Sequence, residues 1–173
     1  MNKITPQTLC RCGDPMYLHH YVDPSPCMKS DCSCTSFNPA ASNFEDVVEF
    51  HRKFSVPIGE FPQLLTKEDY DFRLGFMYEE LEEFEKAHES GDLAGAADAL
   101  IDLVYVALGC AAWMGLPWQE LWNDVQRANM SKVAQAVAND ANARHKFDVR
   151  KPEGWVPPKG KEIILAALIR AGK

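Results

Sequence analysis

Two acidic segments, each set among apolar residues, limit what this chain can fold into. The first, Tyr78 to Ala87, reads YEELEEFEKA and contains five glutamates. Like charges three and four residues apart oppose helix formation unless a cation binds them. The second, Ala97 to Asp102, reads ADALID and begins a strongly apolar run. We therefore expect two helices whose carboxylates share a bound cation.

The spacing of these carboxylates predicts one common site. Asp98 and Asp102 lie about 40° apart around a helix, and Glu80 and Glu83 lie about 60° apart. If the two helices pack antiparallel, all four carboxylates converge. An all-oxygen cluster suits Mg²⁺ or Mn²⁺, and magnesium bound by carboxylates usually acts together with substrate phosphates.

The strongest single indication of a metal site is Asp102, because the helix around it, LIDLVYVALGCAAWM, is apolar nearly all round. Such a helix is expected to be buried on several sides. A lone carboxylate there costs several kcal/mol unless it is paired or ligates a metal. The alternative is that Asp102 only caps a helix or forms a salt bridge.

Net charge argues against two classes of partner. The 173 residues carry a formal charge of −7, which disfavours a nucleic-acid backbone or an anionic membrane. A polyanionic substrate would need metal ions as mediators. No apolar segment follows the N-terminus, and the longest uncharged run, residues 103–118, is shorter than the ~20 residues that span a bilayer. We expect a soluble cytoplasmic protein with reduced thiols.

Residues 1–41 form a separate segment that is rich in Cys, His, Pro and Ser, and it contains five of the six cysteines. It is too poor in aliphatic residues to build a core, so a structural zinc ion is the expected stabiliser. A disordered cysteine-rich tail is the alternative. The favoured zinc ligands are Cys12, His19, Cys27 and one of Cys32 or Cys34.

From residue 42 to the C-terminus the pattern predicts one all-α domain, a bundle of four to five helices with the zinc segment as an appendage. The sequence Ser42-Asn43-Phe44-Glu45 has the spacing of a capping box and begins a helix that runs to about Phe54. Thr66 caps the second helix, Gly91 ends it, and Asp92 caps the third. A fourth helix follows Pro117, and a short amphipathic helix ends the chain. No alternation long enough to predict a sheet is present.

Four stretches together carry a resemblance to a known family: EELEE, GDLAGAADALIDLVYVALGCAAWMGLP, QRANMSK and KPEGWVPP. In this combination the chain resembles the MazG-like all-α nucleoside triphosphate pyrophosphohydrolases, and most closely the small phage-type, MazZ-like members that hydrolyse purine deoxynucleoside triphosphates. The resemblance implies a dimer or tetramer and a magnesium cluster. It also implies cleavage between the α and β phosphates, which yields a nucleoside monophosphate and pyrophosphate.

The resemblance also implies roles for individual residues. Glu80, Glu83 and Asp102 fall on metal-ligand positions, with Glu79 as the first glutamate of the motif. A glutamate not fully engaged with metal, Glu79 or Glu83, is the candidate general base. Ala99 stands where many members have glutamate, so Asp98 would replace that ligand. Gln126 stands where a histidine is common. The candidate substrate-binding residues are Asn129, Lys132, Lys151 and Trp155, with Arg73 and Arg127 as further cations and Phe50, His51 and Phe54 as further walls of a base pocket.

Two other functions fit the sequence. One is phosphoribosyl-ATP pyrophosphohydrolase, an enzyme of the same fold. The other is a non-catalytic helical adaptor with a zinc-binding head, in which the acidic helices are only a solvated or partner-binding surface. In the adaptor, Asp102→Asn is expected to be neutral or stabilising.

Overall fold

The computed structural model describes residues 42–134 and 149–173. The chain forms two compact units, Met1–Glu49 and Phe50–Lys173, and the predicted zinc ligands Cys12, His19, Cys27, Cys32 and Cys34 lie outside the described residues. The described part is helical, which confirms the all-α fold. Its elements are α1 (Asn43–Phe54), α2 (Lys67–Ser90), α3 (Leu93–Trp113), α4 (Trp118–Met130), β1 (Val133–Ala134), β2 (Val149–Arg150) and α5 (Gly160–Arg170).

The helix ends lie where the sequence predicts them. The Thr66 hydroxyl accepts a hydrogen bond from the Asp69 backbone N–H, which satisfies one of the free donors at the start of α2. Gly91 ends α2 with φ at +75°, a left-handed conformation that favours glycine. Asp92 then accepts a hydrogen bond from Gly95 N–H at 3.0 Å and begins α3.

Helices α2 and α3 form an antiparallel hairpin, because only Gly91 and Asp92 separate them. Near the loop, a Cβ placed on Gly95 would lie 3.3 Å from the Ala87 Cβ. Further along, Arg73 of α2 donates a hydrogen bond to the backbone carbonyl of Val106 in α3. This register brings the middle of α2 opposite the first half of α3.

Burial within the chain is less complete than the sequence predicts for α3. Small residues of this helix, such as Ala96 and Ala99, are buried, whereas Ile101 is 67% exposed. The expectation of a helix covered on several sides is wrong for the single chain, because the hairpin covers only one stripe of α3. The exposed apolar residues recur at three- and four-residue spacing, and they are Leu93, Leu100, Ile101, Val104 and Tyr105.

Helix α3 is also the one helix in the described ranges that is long and apolar enough to cross a membrane. Core helices of soluble proteins pass the same test of length and composition. Asp98 and Asp102 lie within it, and carboxylates are costly in a lipid-exposed helix.

A loop before α2 packs against the end of α3. The backbone N–H groups of Gly59 and Gln63 donate hydrogen bonds to the carbonyls of Ala112 and Met114, each at 3.0 Å. The Gln63 bond gives the Met114 carbonyl a partner at the helix C-terminus, and the Gly59 bond is a second one for the Ala112 carbonyl, which also accepts from the Gly115 N–H. The approach is so close that a Cβ on Gly115, which has φ at +64°, would lie 2.4 Å from the Phe61 carbonyl oxygen.

We expect Gly115→Ala to lower the free energy of unfolding by about 2 kcal/mol or more, because it adds a backbone clash to the strain of positive φ. Gly154→Ala is the matched control, since Gly154 has φ at +72° but open space around it. The control is expected to cost only the strain, about 1 kcal/mol. Urea unfolding of both variants measures the difference, and equal losses would contradict the packing argument.

The C-terminal segment packs against α4. Trp155 donates from its indole N–H to the Ala128 carbonyl at 2.9 Å, and Arg127 binds both Asp124 and the Pro157 carbonyl. The Lys159 backbone N–H and the Arg127 side chain hold the pKa of Asp124 below its usual range. A two-residue antiparallel pairing, Val133 with Arg150 and Ala134 with Val149, occurs where no strand was predicted, since two residues are too short for a periodic signal.

Candidate active site

Glu80 occupies the α2 face that packs against α3, and its carboxylate is the centre of the candidate site. Its Oε2 atom is buried and has no hydrogen-bond partner. A buried carboxylate oxygen without a partner costs free energy that neighbouring groups or a bound ligand must offset. Here the neighbours are themselves acidic, so they add repulsion.

The electrostatic environment of Glu80 shows which residues the hairpin brings together. Burial raises the pKa of Glu80, and the nearby carboxylates of Glu83, Asp102, Glu79 and Asp98 raise it further, in that order. These four carboxylates therefore lie close enough to Glu80 on the α2–α3 hairpin to act on its charge. Such mutual repulsion is the condition that a divalent cation relieves.

The donor set fits a hard divalent cation. The four charged side chains that act on Glu80 all offer carboxylate oxygen, which is the ligand type that Mg²⁺ and Mn²⁺ prefer. Glu83, Asp98 and Asp102 are exposed, so ions can reach them from solvent. Within the described ranges, no three Asp, Glu, His or Cys side chains already converge as a finished metal site. Repulsion between like charges favours this spread arrangement.

The predicted substrate-binding residues form a second group at the end of α4. Lys151 lies over the Trp155 ring, with Nζ 4.5 Å from the ring centroid, and Trp155 is half-buried. The two paired strands, β1 and β2, form a short ribbon. Lys132 directly precedes β1 and Lys151 directly follows β2, so both lysines lie at the same end of this ribbon. Asn129 is exposed on α4. In the part of the chain that the structure describes, no hydrogen bond or ion pair joins this group to the acidic cluster.

Two of the candidate cations have structural contacts instead. Arg127 is engaged by Asp124 and Pro157, and Arg73 is buried within the hairpin at 8% exposure. One feature of the sequence indicates that Arg73 is buried: it lies seven residues, or two turns, before Glu80 and therefore shares its inward face.

The aromatic candidates for a base pocket have mixed surroundings. His51 is buried, whereas Phe50 and Phe54 are exposed and pack against each other with ring centroids 4.6 Å apart. Phe50 also meets Tyr105 of α3 edge to face at 5.5 Å. Tyr105 is three residues from Asp102, so an exposed aromatic surface borders the acidic cluster.

Together these features define an all-α fold with a cluster of carboxylates on its α2–α3 hairpin. Residues 47–129 match the family model described as phosphoribosyl-ATP pyrophosphohydrolase. The matched range is slightly under half of the chain, and it contains all five acidic residues of the cluster. A search of the curated proteins found no match. The family match supports nucleotide pyrophosphohydrolase activity as the reaction class.

Proposed function

We propose that this protein hydrolyses nucleoside triphosphates, with purine deoxynucleoside triphosphates as the preferred substrates, to the nucleoside monophosphate and pyrophosphate. The observation that carries the proposal is the buried, unpartnered Oε2 of Glu80 among four further carboxylates. A chain with net charge −7 repels a triphosphate unless cations lie between them.

Glu80, Glu83, Asp98 and Asp102 would hold two or three Mg²⁺ or Mn²⁺ ions. Bound there, such ions neutralise phosphate charge and lower the pKa of a coordinated water molecule. Glu79 or Glu83, at the border of the cluster, accepts the proton of the attacking water. The water oxygen bonds to the α-phosphorus as the bond to the α–β bridging oxygen breaks, and pyrophosphate leaves with that oxygen.

The second group supplies positive charge for the phosphates. Lys132 and Lys151 lie at one end of the ribbon, and both lack a carboxylate partner among the described residues. Lysine ammonium groups stabilise charge that develops on transferred phosphate. Trp155 holds Lys151 by a cation–π contact, and Asn129 offers an exposed amide for the sugar or a phosphate.

We also propose that the working protein is a homodimer or homotetramer in which a second copy covers α3. The exposed stripe from Leu93 to Tyr105 runs beside Asp98 and Asp102. A contiguous apolar stripe of this kind marks an interaction surface. Covering it would exclude water from the border of the acidic cluster, which strengthens the electrostatic interactions there.

Phosphoribosyl-ATP pyrophosphohydrolase is the second candidate, and the family match at residues 47–129 favours it. Phosphoribosyl-ATP carries a triphosphate, so both candidates cleave an α–β phosphoanhydride. The same acidic cluster serves either substrate. The difference lies in the recognition of the base and the sugar.

The test is a substrate panel. Ribo- and deoxyribonucleoside triphosphates and phosphoribosyl-ATP are each incubated with the protein and Mg²⁺ or Mn²⁺, and the products are separated by chromatography. We expect metal-dependent release of pyrophosphate, with faster turnover of dGTP or dATP. Release of orthophosphate in place of pyrophosphate, or no cleavage of any nucleotide, would overturn the proposal.

A further inference from the structure

Arg73 is a charged side chain in an unusual place, since it is only 8% exposed. Its Nη2 donates to the Val106 carbonyl oxygen at 2.6 Å, and its guanidinium contacts the Cys110 thiol. The Nε–H group is buried and has no partner among the described residues. Burial lowers the pKa of Arg73. An apolar side chain of similar size would avoid these costs.

The guanidinium sits in a slot that the neighbouring residues leave for it. A Cβ on Gly109 would lie 2.5 Å from Arg73 Nη2 and 2.9 Å from His51 Nε2, so a larger residue there would displace the guanidinium. His51 is itself fixed, because its Nδ1 lies 2.9 Å from the Pro57 carbonyl and donates to it. With glycine at position 109, the Arg73 guanidinium reaches the α3 backbone and joins α2 to it.

The position of this contact along the hairpin is informative. The tight loop at Gly91 and Asp92 fixes one end, where Ala87 meets Gly95. Arg73 fixes the other end, and Glu80 lies seven residues, about 10 Å, from both Arg73 and Ala87. The α3 residues buried along this length include small alanines. Because their side chains are short, they interlock weakly with α2 and only poorly define the register of one helix against the other.

We propose that Arg73 is a positioning residue: by binding the α3 backbone at Val106, it fixes the register of the open end of the hairpin and keeps Glu80 opposite Asp98 and Asp102. The inference rests on the proposed function, because the position of Glu80 matters only if the cluster binds cations. Specifying one register is the best-attested use of a buried polar side chain that lowers stability.

The experiment compares Arg73→Met, Arg73→Lys and wild type in the full chain. Binding of Mn²⁺ is measured by electron paramagnetic resonance without nucleotide, and Glu80→Gln defines the part of the signal that belongs to the cluster. We expect Arg73→Met to weaken this Mn²⁺ binding roughly 10- to 100-fold, as is usual when a residue that supports ligands is lost. Its melting temperature without metal is expected to stay equal or rise. Arg73→Lys keeps a donor and is expected to restore part of the affinity.

Leu108→Ala is the control, because Leu108 is buried in α3 but carries no polar contact to α2. It is expected to lower the melting temperature and to leave Mn²⁺ affinity unchanged. Should Arg73→Met fail to fold, Gly109→Ala tests the same contact, since it displaces the guanidinium while alanine favours the helix. Gly109→Ala is expected to weaken Mn²⁺ binding as well.

A merely structural Arg73 predicts the opposite pattern, a lower melting temperature with unchanged Mn²⁺ affinity in Arg73→Met, and that result would overturn the proposal. The two proposals can also fail separately. If wild type binds Mn²⁺ at the cluster but cleaves no nucleotide, only the proposed function fails. If wild type binds no Mn²⁺ there, both are overturned.

Discussion

Replacing Glu80 with glutamine is expected to lower kcat/KM for pyrophosphate release by roughly 100-fold or more, because even residues that only support metal ligands typically cost 10- to 100-fold when removed. The same change removes one charge from a group of five carboxylates. The metal-free variant is therefore expected to be at least as stable as wild type. Asp102→Asn is expected to give the same pair of effects, with activity lost and the fold retained.

Glu82→Gln is the matched control, since Glu82 lies on the same helix, is exposed, and pairs with Lys86. It is expected to leave kcat/KM and stability nearly unchanged. No pyrophosphate release from wild type, with Asp102→Asn neutral or stabilising and with zinc binding but no magnesium dependence, would support the non-catalytic adaptor in place of the enzyme.

The pH dependence of stability has a defined sign. Burial and the neighbouring carboxylates raise the pKa of Glu80 above its ordinary value of 4.5 in the folded, metal-free protein. The folded state then binds more protons than the unfolded state between the two pKa values, so the free energy of unfolding falls as the pH rises through that range. Glu80→Gln is expected to flatten this slope, and saturating Mg²⁺ is expected to raise the melting temperature of wild type.

Replacing Ile101 with aspartate is expected to weaken self-association about 100-fold or more, which corresponds to about 2.7 kcal/mol. Ile101 is 67% exposed at the centre of the apolar stripe of α3, and a charge there would be buried against a second copy. Analytical ultracentrifugation over a range of protein concentrations measures the shift towards monomer.

Ile169 of α5 provides a matched control, because it is the same residue type at 66% exposure. Ile169→Asp is expected to leave the oligomeric state unchanged. A wild-type protein that is monomeric at micromolar concentration, or equal dissociation in both variants, would contradict the assignment of α3 as the interface.

The sequence was sufficient to predict the helices, because their signals are local. Thr66, Gly91 and Asp92 mark helix ends by side-chain chemistry or positive φ, and the structure has them there. The meeting of the two acidic segments could also be predicted, since a loop of two residues forces adjacent helices to run antiparallel. Spacing alone then places Glu80 near Asp102.

Contacts that depend on distant parts of the chain could not be predicted. From the sequence Arg73 is a candidate phosphate ligand. In the structure it is buried between α2 and α3, with its guanidinium beside Gly109. Arg127 likewise meets the carbonyl of Pro157, thirty residues later. The apolar run of α3 was interpreted as buried, because hydropathy records how apolar a face is and does not say whether the same chain or another copy covers it.

The repulsion between Glu80 and its neighbouring carboxylates has a consequence for the lifetime of the protein in a cell. The cations proposed for the cluster would favour the folded state by mass action, and proteases act mainly on unfolded chains. A scarcity of divalent metal would therefore shorten the half-life of this protein, so that its abundance, and not only its turnover rate, would follow the supply of metal.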